Sequence, residues 1–221
     1  VIVANCFWYI YNFRLDFIRL LKDSGFKVII IAPQDSYKSL VEEYVDEVKD
    51  WSLSRGSINP LLEIRSILEL IFFYISLKPN LIHNFTIKPA LYGGFAGKIL
   101  GKNFVISHIT GIGPSLFASS RAIRFLSYLL KPFYRFAFST NNKLIFHNKN
   151  DLEIFLKKGF CKKQSSTLIE GSGVDVGKFK NNIIKKSYFY PIQVLFPARI
   201  IKEKGFIELM ESCLELWEEG Y

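Results

Sequence analysis

Arg199 and Lys204 stand in the run FPARIIKEKGFIEL, on either side of a junction where an apolar stretch gives way to a helical pattern, with Gly205 directly after them. Two cations beside the unpaired N–H groups of a helix N-terminus make a clamp suited to a diphosphate. As residues alone, such a pair is more commonly solvated loop charge, since basic loops are frequent. Thr110-Gly111-Ile112-Gly113 is a second candidate, because its two glycines permit positive φ and close approach of backbone to a ligand. A tight structural turn accounts for the same residues. Asn12 and Arg14 follow the first apolar run, and Gly173 sits near the end of the last one before a basic stretch.

His83, His108 and His147 fall within predicted strands, where a histidine is more often packed or satisfied than catalytic. His108 and Thr110 share side-chain parity and so face one side. No His-Glu-x-x-His, His-x-x-x-His or Ser-His-Asp arrangement is present, which argues against a metal hydrolase or a triad enzyme. No metal or cofactor is expected. The GGFAG of Gly93 to Gly97 lies inside a helical pattern and the first βα turn lacks Gly-x-Gly-x-x-Gly, which disfavours a nicotinamide oxidoreductase.

The elements that must position these residues alternate along the chain. Strands are predicted at VIVAN, KVIIIAP, DEVKDW, NLIHNF, NFVISHIT, KLIFHN and STLIEG. Between them lie helices from about Phe13 to Ser24, near Tyr37 to Tyr44, from Leu61 to Leu77 with Pro60 in the first turn, over KPALYGGFAGKILG, from about Arg121 to Phe138 with a break near Pro132, and over NDLEIFLKKG. This order predicts an α/β fold, a doubly wound parallel sheet of Rossmann-like type. Ligands of such sheets bind beyond the carboxyl ends of the strands, here Asn5 to Arg14, Pro33 to Ser36, Asn84 to Pro89, Thr110 to Ser120, Asn148 to Asp151 and Gly171 to Asp175. The expected domains are 1–177, a basic linker at 178–191, and 192–221 as the first βα unit of a second, truncated Rossmann-like domain. A strand of that size cannot satisfy its edges alone.

The formal charge of +9 favours an anionic partner. The cations are dispersed and no RNP motif or zinc-finger spacing is present, so no nucleic acid partner is expected. Three cysteines without Cys-x-x-Cys spacing suggest a reducing, cytoplasmic setting, and Val1 opens inside an apolar run without a visible secretory signal. The apolar segment Glu63 to Asn80 carries Arg65 and Glu69 and is not expected to span a bilayer. It reads as a core helix or as one whose outer face touches lipid. SRAIRFLSYLLKPFYRFAF, with Arg121, Arg124, Lys131 and Arg135 among aromatics, is the stronger candidate for a membrane-facing helix.

FPARIIKEKGFIELMES resembles the opening of the second domain of retaining GT-B glycosyltransferases, the large group 1 or family 4 class that uses nucleotide-activated sugars. LSRGSINP resembles a segment before the third helix of bacterial polysaccharide transferases, ITGIGPSLF their TGLG loop, and LIEGSGVDVGKF the GSGVD…F that ends their first domain. The resemblance covers nearly the whole chain, and in character it is nearest to O-antigen, capsule and glycan-assembly transferases.

It implies two Rossmann-like domains, the first mainly for acceptor and the second mainly for donor. On this resemblance Arg199, Lys204 and Gly205 bind the donor diphosphate, and Asn12, Arg14, Thr110, Gly111, Gly113 and Gly173 line the acceptor side. The implied partners are a UDP-sugar donor, an undecaprenyl-diphosphate-linked saccharide acceptor and an anionic membrane surface, at the inner face of the cell membrane. No protein base is assigned, since the departing diphosphate helps to take the acceptor proton. The acidic E…E motif of the class is expected beyond Tyr221. Two departures stand out: NCFWYIYNFR has no glycine where many relatives have a Gly-rich loop, and Thr110 replaces a histidine. The competing reading is an inactive, membrane-associated acceptor module that needs a missing half or a partner chain.

Overall fold

A computed structural model describes residues 1–57, 59–101, 104–112, 130–139, 142–177, 194–198, 200 and 202–220. The chain divides into two compact units, Val1–Asp175 and Val176–Tyr221.

In the first unit, strands β1 (Ile2–Val3), β2 (Ile29–Ala32), β3 (Glu47–Asp50), β4 (Ile82–Phe85), β5 (Val105–Ile109), β6 (Lys143–Phe146) and β7 (Ser166–Leu168) form a sheet ordered β3-β2-β1-β4-β5-β6-β7. Every adjacent pair is parallel. The fold is therefore the Rossmann-like α/β sheet that the alternation predicts. All four residues of β2 and of β4 are buried, as a β-branched or apolar strand covered on both faces requires.

Successive residues supply opposite cores. Ile2, Ile30 and Phe85 pack under helices α1 (Phe7–Phe13) and α2 (Leu15–Asp23) through Phe7, Ile10 and Ile18, with Val41 of α3 (Lys38–Glu42) beside them. Val3, Ile31, Ile82 and Val105 pack on the other face with α4 (Pro60–Leu77), α5 (Ile87–Ile99), α6 (Lys131–Phe138) and α7 (Lys149–Lys158) through Leu70, Tyr74, Ala96, Phe138 and Phe155.

Local chemistry starts these helices. Asn59 Oδ1 accepts from the Leu61 N–H at 3.0 Å ahead of α4, where Pro60 fills the first helical position. Asn148 Oδ1 does the same for the Asp151 N–H at 2.8 Å ahead of α7. The side chain of Cys6 caps nothing at α1; Asp35 Oδ2 instead accepts from the Trp8 N–H at 3.0 Å, while its Oδ1 accepts from Tyr37 N–H at 2.9 Å. Pro132 lies in the first turn of α6, and the remainder of the helix expected from Arg121 falls outside the described residues.

Two expectations for the first unit are corrected. Residues 7–13, expected as a loop, form α1, because Phe7 and Ile10 lie one helical turn apart and bury together on the sheet. His147 lies one residue past β6 and not within it.

The second unit has a 3-10 turn at Lys202–Lys204 and helix α8 (Phe206–Glu218). Val194–Pro197, expected as strand, has no regular structure, and the described residues of this unit contain no strand with which it could pair. The expected linker at 178–191 lies outside the described residues.

One close approach fixes the α5 layer. A Cβ on Gly93 would lie 2.2 Å from Asn84 Oδ1, and that fully buried amide is tethered through Nδ2 to Ser107 Oγ at 3.0 Å. GGFAG thus serves helix-to-sheet packing. Gly93→Ala should destabilise the chain by about 1–3 kcal/mol in urea melts. Combining it with Asn84→Ala should cost less than the two single changes added together.

Candidate active site at the carboxyl edge

Arg14 ends α1 at the carboxyl edge of the sheet and is only 7% exposed. Its Nε and Nη2 donate to Tyr9 Oη at 3.0 and 2.6 Å, and Nη2 reaches Ser172 Oγ at 3.3 Å. The guanidinium carbon lies 4.5 Å from the centroid of Phe85 and 5.3 Å from that of Tyr9. Among the described residues no carboxylate pairs with it. The aromatic faces offset part of its desolvation, but a buried charge without a counter-ion remains unfavourable.

Three histidines share its face of the sheet. The rings of His83, Phe85 and His108 pack in a triangle, with Phe85 4.5 and 4.6 Å from the two histidines and the histidines 4.8 Å from each other, centroid to centroid. The registers Phe85↔His108 and His108↔Ile145 bring His147, two residues beyond Ile145, to the same side. His108 Nδ1 lies 3.1 Å from His147 Nε2, and His147 Nδ1 lies 2.5 Å from the Gly171 carbonyl oxygen. A carbonyl only accepts, so His147 holds its proton on Nδ1 and its Nε2 accepts from the His108 Nδ1–H. His108 Nε2 is left with a bare lone pair.

Burial, aided by the Arg14 charge, pushes His83 down to about 3. Burial, with His83, Arg14 and His147 beside it, pushes His108 down to about 2. His147 is also lowered, chiefly by burial, although its bond to Gly171 opposes the shift. At neutral pH the cluster is therefore uncharged apart from Arg14.

A second network shapes the loop after β3. Lys88 Nζ donates to the carbonyls of Ser54 and Ser57 at 2.8 and 2.7 Å and pairs with Glu63 Oε1 at 2.7 Å. The Tyr92 hydroxyl donates to the other Glu63 oxygen. The loop that carries exposed Arg55 is thereby tied to the start of α5. Lys88, Glu63 and Tyr92 were not singled out from the sequence; only the adjacency of LSRGS and a later Lys-Pro hints at them, and spacing cannot show that they meet.

The structure gathers some expected site residues and disperses others. Arg14 joins the Ser172 end of the chain's exit from β7, next to Gly173, which has φ +77°. Thr110 is partly buried one residue past β5, and Gly111 follows with φ +155°. Asn12 is exposed and its Nδ2 is bound to the Trp8 carbonyl at 2.8 Å. Gly113 and Arg199 lie outside the described residues. In the second unit Lys204 is exposed, and Gly205 starts α8 at φ +76°, a conformation that favours glycine.

Among the described residues no group of three His, Cys, Asp or Glu side chains is placed to hold a metal ion. A cavity of about 320 Å³ opens at the opposite, amino edge, lined largely by apolar residues such as Leu21, Val28, Leu77 and Leu81. Its lining also includes Lys27, Lys78, Asn80 and His83, but it lies at the end of the sheet away from where parallel α/β folds bind ligands, so the carboxyl-edge cluster is the better candidate.

The histidines should set the acid limb of stability. In the unfolded chain they titrate near 6.5, whereas folded His83 and His108 stay neutral down to about 3 and about 2. Between those values the unfolded state binds more protons, so stability falls as pH drops below about 6.5, by about 1.4 kcal/mol per pH unit for each histidine. His83 Nε2 has no hydrogen-bond partner among the described residues. His83→Leu should therefore preserve stability at pH 7 and flatten the slope between pH 6 and pH 4, measured by urea melts; an unchanged slope would contradict this account.

Comparison with known proteins places this geometry. The family model described as glycosyl transferase 4-like matches residues 2–148. The N,N'-diacetylbacillosaminyl-diphospho-undecaprenol alpha-1,3-N-acetylgalactosaminyltransferase of Campylobacter jejuni is 26% identical over 222 residues, covering 96% of this chain and 58% of that protein. The chain thus spans less than two thirds of that relative's length. A glycosyltransferase from Rickettsia africae matches with a TM-score of 0.55 at 14% identity, covering 98% of this chain and 48% of that one. HepE from Anabaena, solved with UDP and glucose, matches with a TM-score of 0.51 at 15% identity, covering 80% of this chain and 45% of that one. At these identities the structural likeness shows the fold, and the family match over residues 2–148 shows that the chain belongs to the glycosyl transferase 4-like family.

Proposed function

We propose that this chain is the acceptor-side part of a retaining glycosyltransferase that moves an N-acetylhexosamine from a UDP-sugar to a lipid-diphosphate-linked saccharide at the inner face of a bacterial membrane. The observation that carries the reading is Arg14, a buried guanidinium with no carboxylate partner among the described residues, at the edge of the sheet where α/β folds bind ligands. Its membership in the glycosyl transferase 4-like family supplies the reaction class. Support for the substrates comes from the Campylobacter relative, whose name gives a diphospho-undecaprenol-linked acceptor and an N-acetylgalactosaminyl donor group, and from HepE, which was solved with UDP.

In this reading Arg14 and Ser172 take an anionic group of the acceptor, and Thr110, Gly111, Gly113 and Gly173 line its path. Asn12 stands at the same end of α1, on its exposed side. Lys204 and Arg199, with the start of α8 at Gly205, neutralise the donor diphosphate. The acceptor hydroxyl attacks the anomeric carbon as the bond to the diphosphate oxygen breaks, and the hydroxyl proton passes to the departing diphosphate. The protein then contributes charge stabilisation and positioning in place of a base, and neither metal nor cofactor is required.

One observation favours the alternative of an acceptor-binding module that depends on further chain. In α8 the apolar residues Ile207, Met210, Leu214 and Trp217 recur at helical spacing, yet none is buried. Turnover separates the two readings.

Calorimetric titration with UDP and a set of UDP-sugars tests the donor side: Arg199→Ala and Lys204→Ala should each weaken binding about tenfold or more. Arg14→Ala should leave that binding unchanged and raise the KM for a lipid-diphosphate saccharide about tenfold or more. Donor binding that is indifferent to Lys204, or acceptor kinetics indifferent to Arg14, would remove the residue concerned from its proposed role.

A further inference from the structure

Helix α4 buries one side and leaves a second apolar side uncovered. Ser66, Leu70 and Tyr74 are buried, with Ile67 and Ile71 packed partly against the core. On the other side Leu61, Ile64, Leu68, Phe72 and Ile75 recur three or four residues apart and are 76, 53, 59, 65 and 55% exposed. They form a stripe about 21 Å long. Folding accounts for the inner side only; an outer stripe of five large apolar side chains marks a docking surface.

The charge around the stripe selects its occupant. From Pro60 to Phe138 the chain carries nine Lys and Arg residues and two acidic ones, so this segment holds most of the net charge of +9. Both acids are engaged inward: Glu63 with Lys88 and Tyr92, and Glu69 with the Ser52 N–H at 2.9 Å and the Ser52 hydroxyl. Arg65, one residue after Ile64, is exposed and makes no ion pair among the described residues. An apolar stripe with exposed Arg65 on the same helix and exposed Lys78 at its C-terminal end, neither in an ion pair among the described residues, in a chain of net charge +9, matches an anionic bilayer, which accepts the side chains among its acyl chains and the cations at its phosphates. A second copy of the chain would bring like charges together. Among the described residues no helix is long and apolar enough to cross a membrane, so the stripe suits a helix that lies on the surface.

We propose that the outer stripe of α4 is the surface by which the protein rests on an anionic lipid bilayer, with Leu61, Ile64, Leu68, Phe72 and Ile75 entering the interface and Arg65 meeting lipid phosphate. The proposal rests on the transferase reading only for which membrane is involved. The other candidate from the sequence, Arg121 to Phe138, is described only over α6, which buries Tyr134, Ala137 and Phe138.

Flotation of the full-length protein with phosphatidylcholine vesicles, with and without about 30% phosphatidylglycerol, provides the test. The wild type should float with the anionic vesicles and at least about tenfold more weakly with the neutral ones. Leu68→Glu combined with Phe72→Glu should cut partitioning about tenfold or more while the thermal melt stays in place, because both side chains are more than half exposed. Arg65→Glu should weaken binding at low salt and have less effect at high salt. A wild type that does not float, or a double variant that floats as well as the wild type, overturns the proposal. So does a dimer in sedimentation velocity that the double variant dissolves without any vesicle binding, which would assign the stripe to a second copy. Transfer to a short-chain, water-soluble acceptor should be unaffected by the double variant. Vesicle binding without such transfer would count against the transferase reading alone.

Discussion

A parallel sheet of this size forms only when both of its faces are covered, since each strand is hydrogen-bonded along its length and presents side chains above and below. The crossovers supply that cover. They also return the chain to the amino edge each time, so every strand points its carboxyl end toward the same side of the first unit. Asn5, Thr86, Thr110, His147 and Ile169 all emerge at that edge. The close seat of Gly93 over Asn84 belongs to the same constraint, because α5 must approach the middle of the sheet nearly at backbone distance.

Within the edge, one charge organises the polar groups. Arg14 contacts the aromatic faces of Tyr9 and Phe85, and its field disfavours protonation of all three neighbouring histidines. Neutral imidazoles can form the directed chain from His108 through His147 to the Gly171 carbonyl, whereas an imidazolium pair could not. That chain anchors the segment after β7, where Ser172 reaches Arg14. The cation and the exit loop are thus held by each other, and an arriving anion would meet a guanidinium already oriented.

The sequence made the sheet legible because β-branched runs, turn residues and helical spacing agree over most elements; KVIIIAP and the Asn59-Pro60 start of α4 are clear cases. Residues 7–13 were opaque, because FWYIYNF is aromatic at five of its seven positions and its one plainly polar residue, Asn12, makes no polar face, so nothing local separates a helix from a loop. Arg14 was legible as a candidate from its place after β1, but its burial and the absence of a carboxylate beside it among the described residues depend on tertiary packing. The histidine chain depends on register across β4, β5 and β6, which spacing alone does not give. The Lys88 clamp joins residues 54, 57 and 63 to a lysine in the next crossover, a contact with no local signature. Lys204 and Gly205 were legible as a turn leading into a helix, and the second unit has that arrangement.

Thr86 shows how the edge is held in shape. It takes φ +76° and ψ 164°, a region that a β-branched residue enters at a cost of about 1–3 kcal/mol. Both of its neighbours are fixed: its N–H donates to the His108 carbonyl at 3.1 Å, which extends the β4–β5 ladder past Phe85, and its carbonyl already accepts from the Ala90 N–H at 3.0 Å inside α5. The turn from strand to helix is therefore completed at a single residue. Among the described residues its buried hydroxyl has no partner, and it does not cap the helix, so the conformation is imposed by the two elements and not by the side chain. A relaxed, longer turn would shift Lys88, two residues on, and release the Ser54 and Ser57 carbonyls that Lys88 holds. The tight turn at the end of β4 thus sets the position of Lys88 and, through it, of the loop after β3 that carries exposed Arg55.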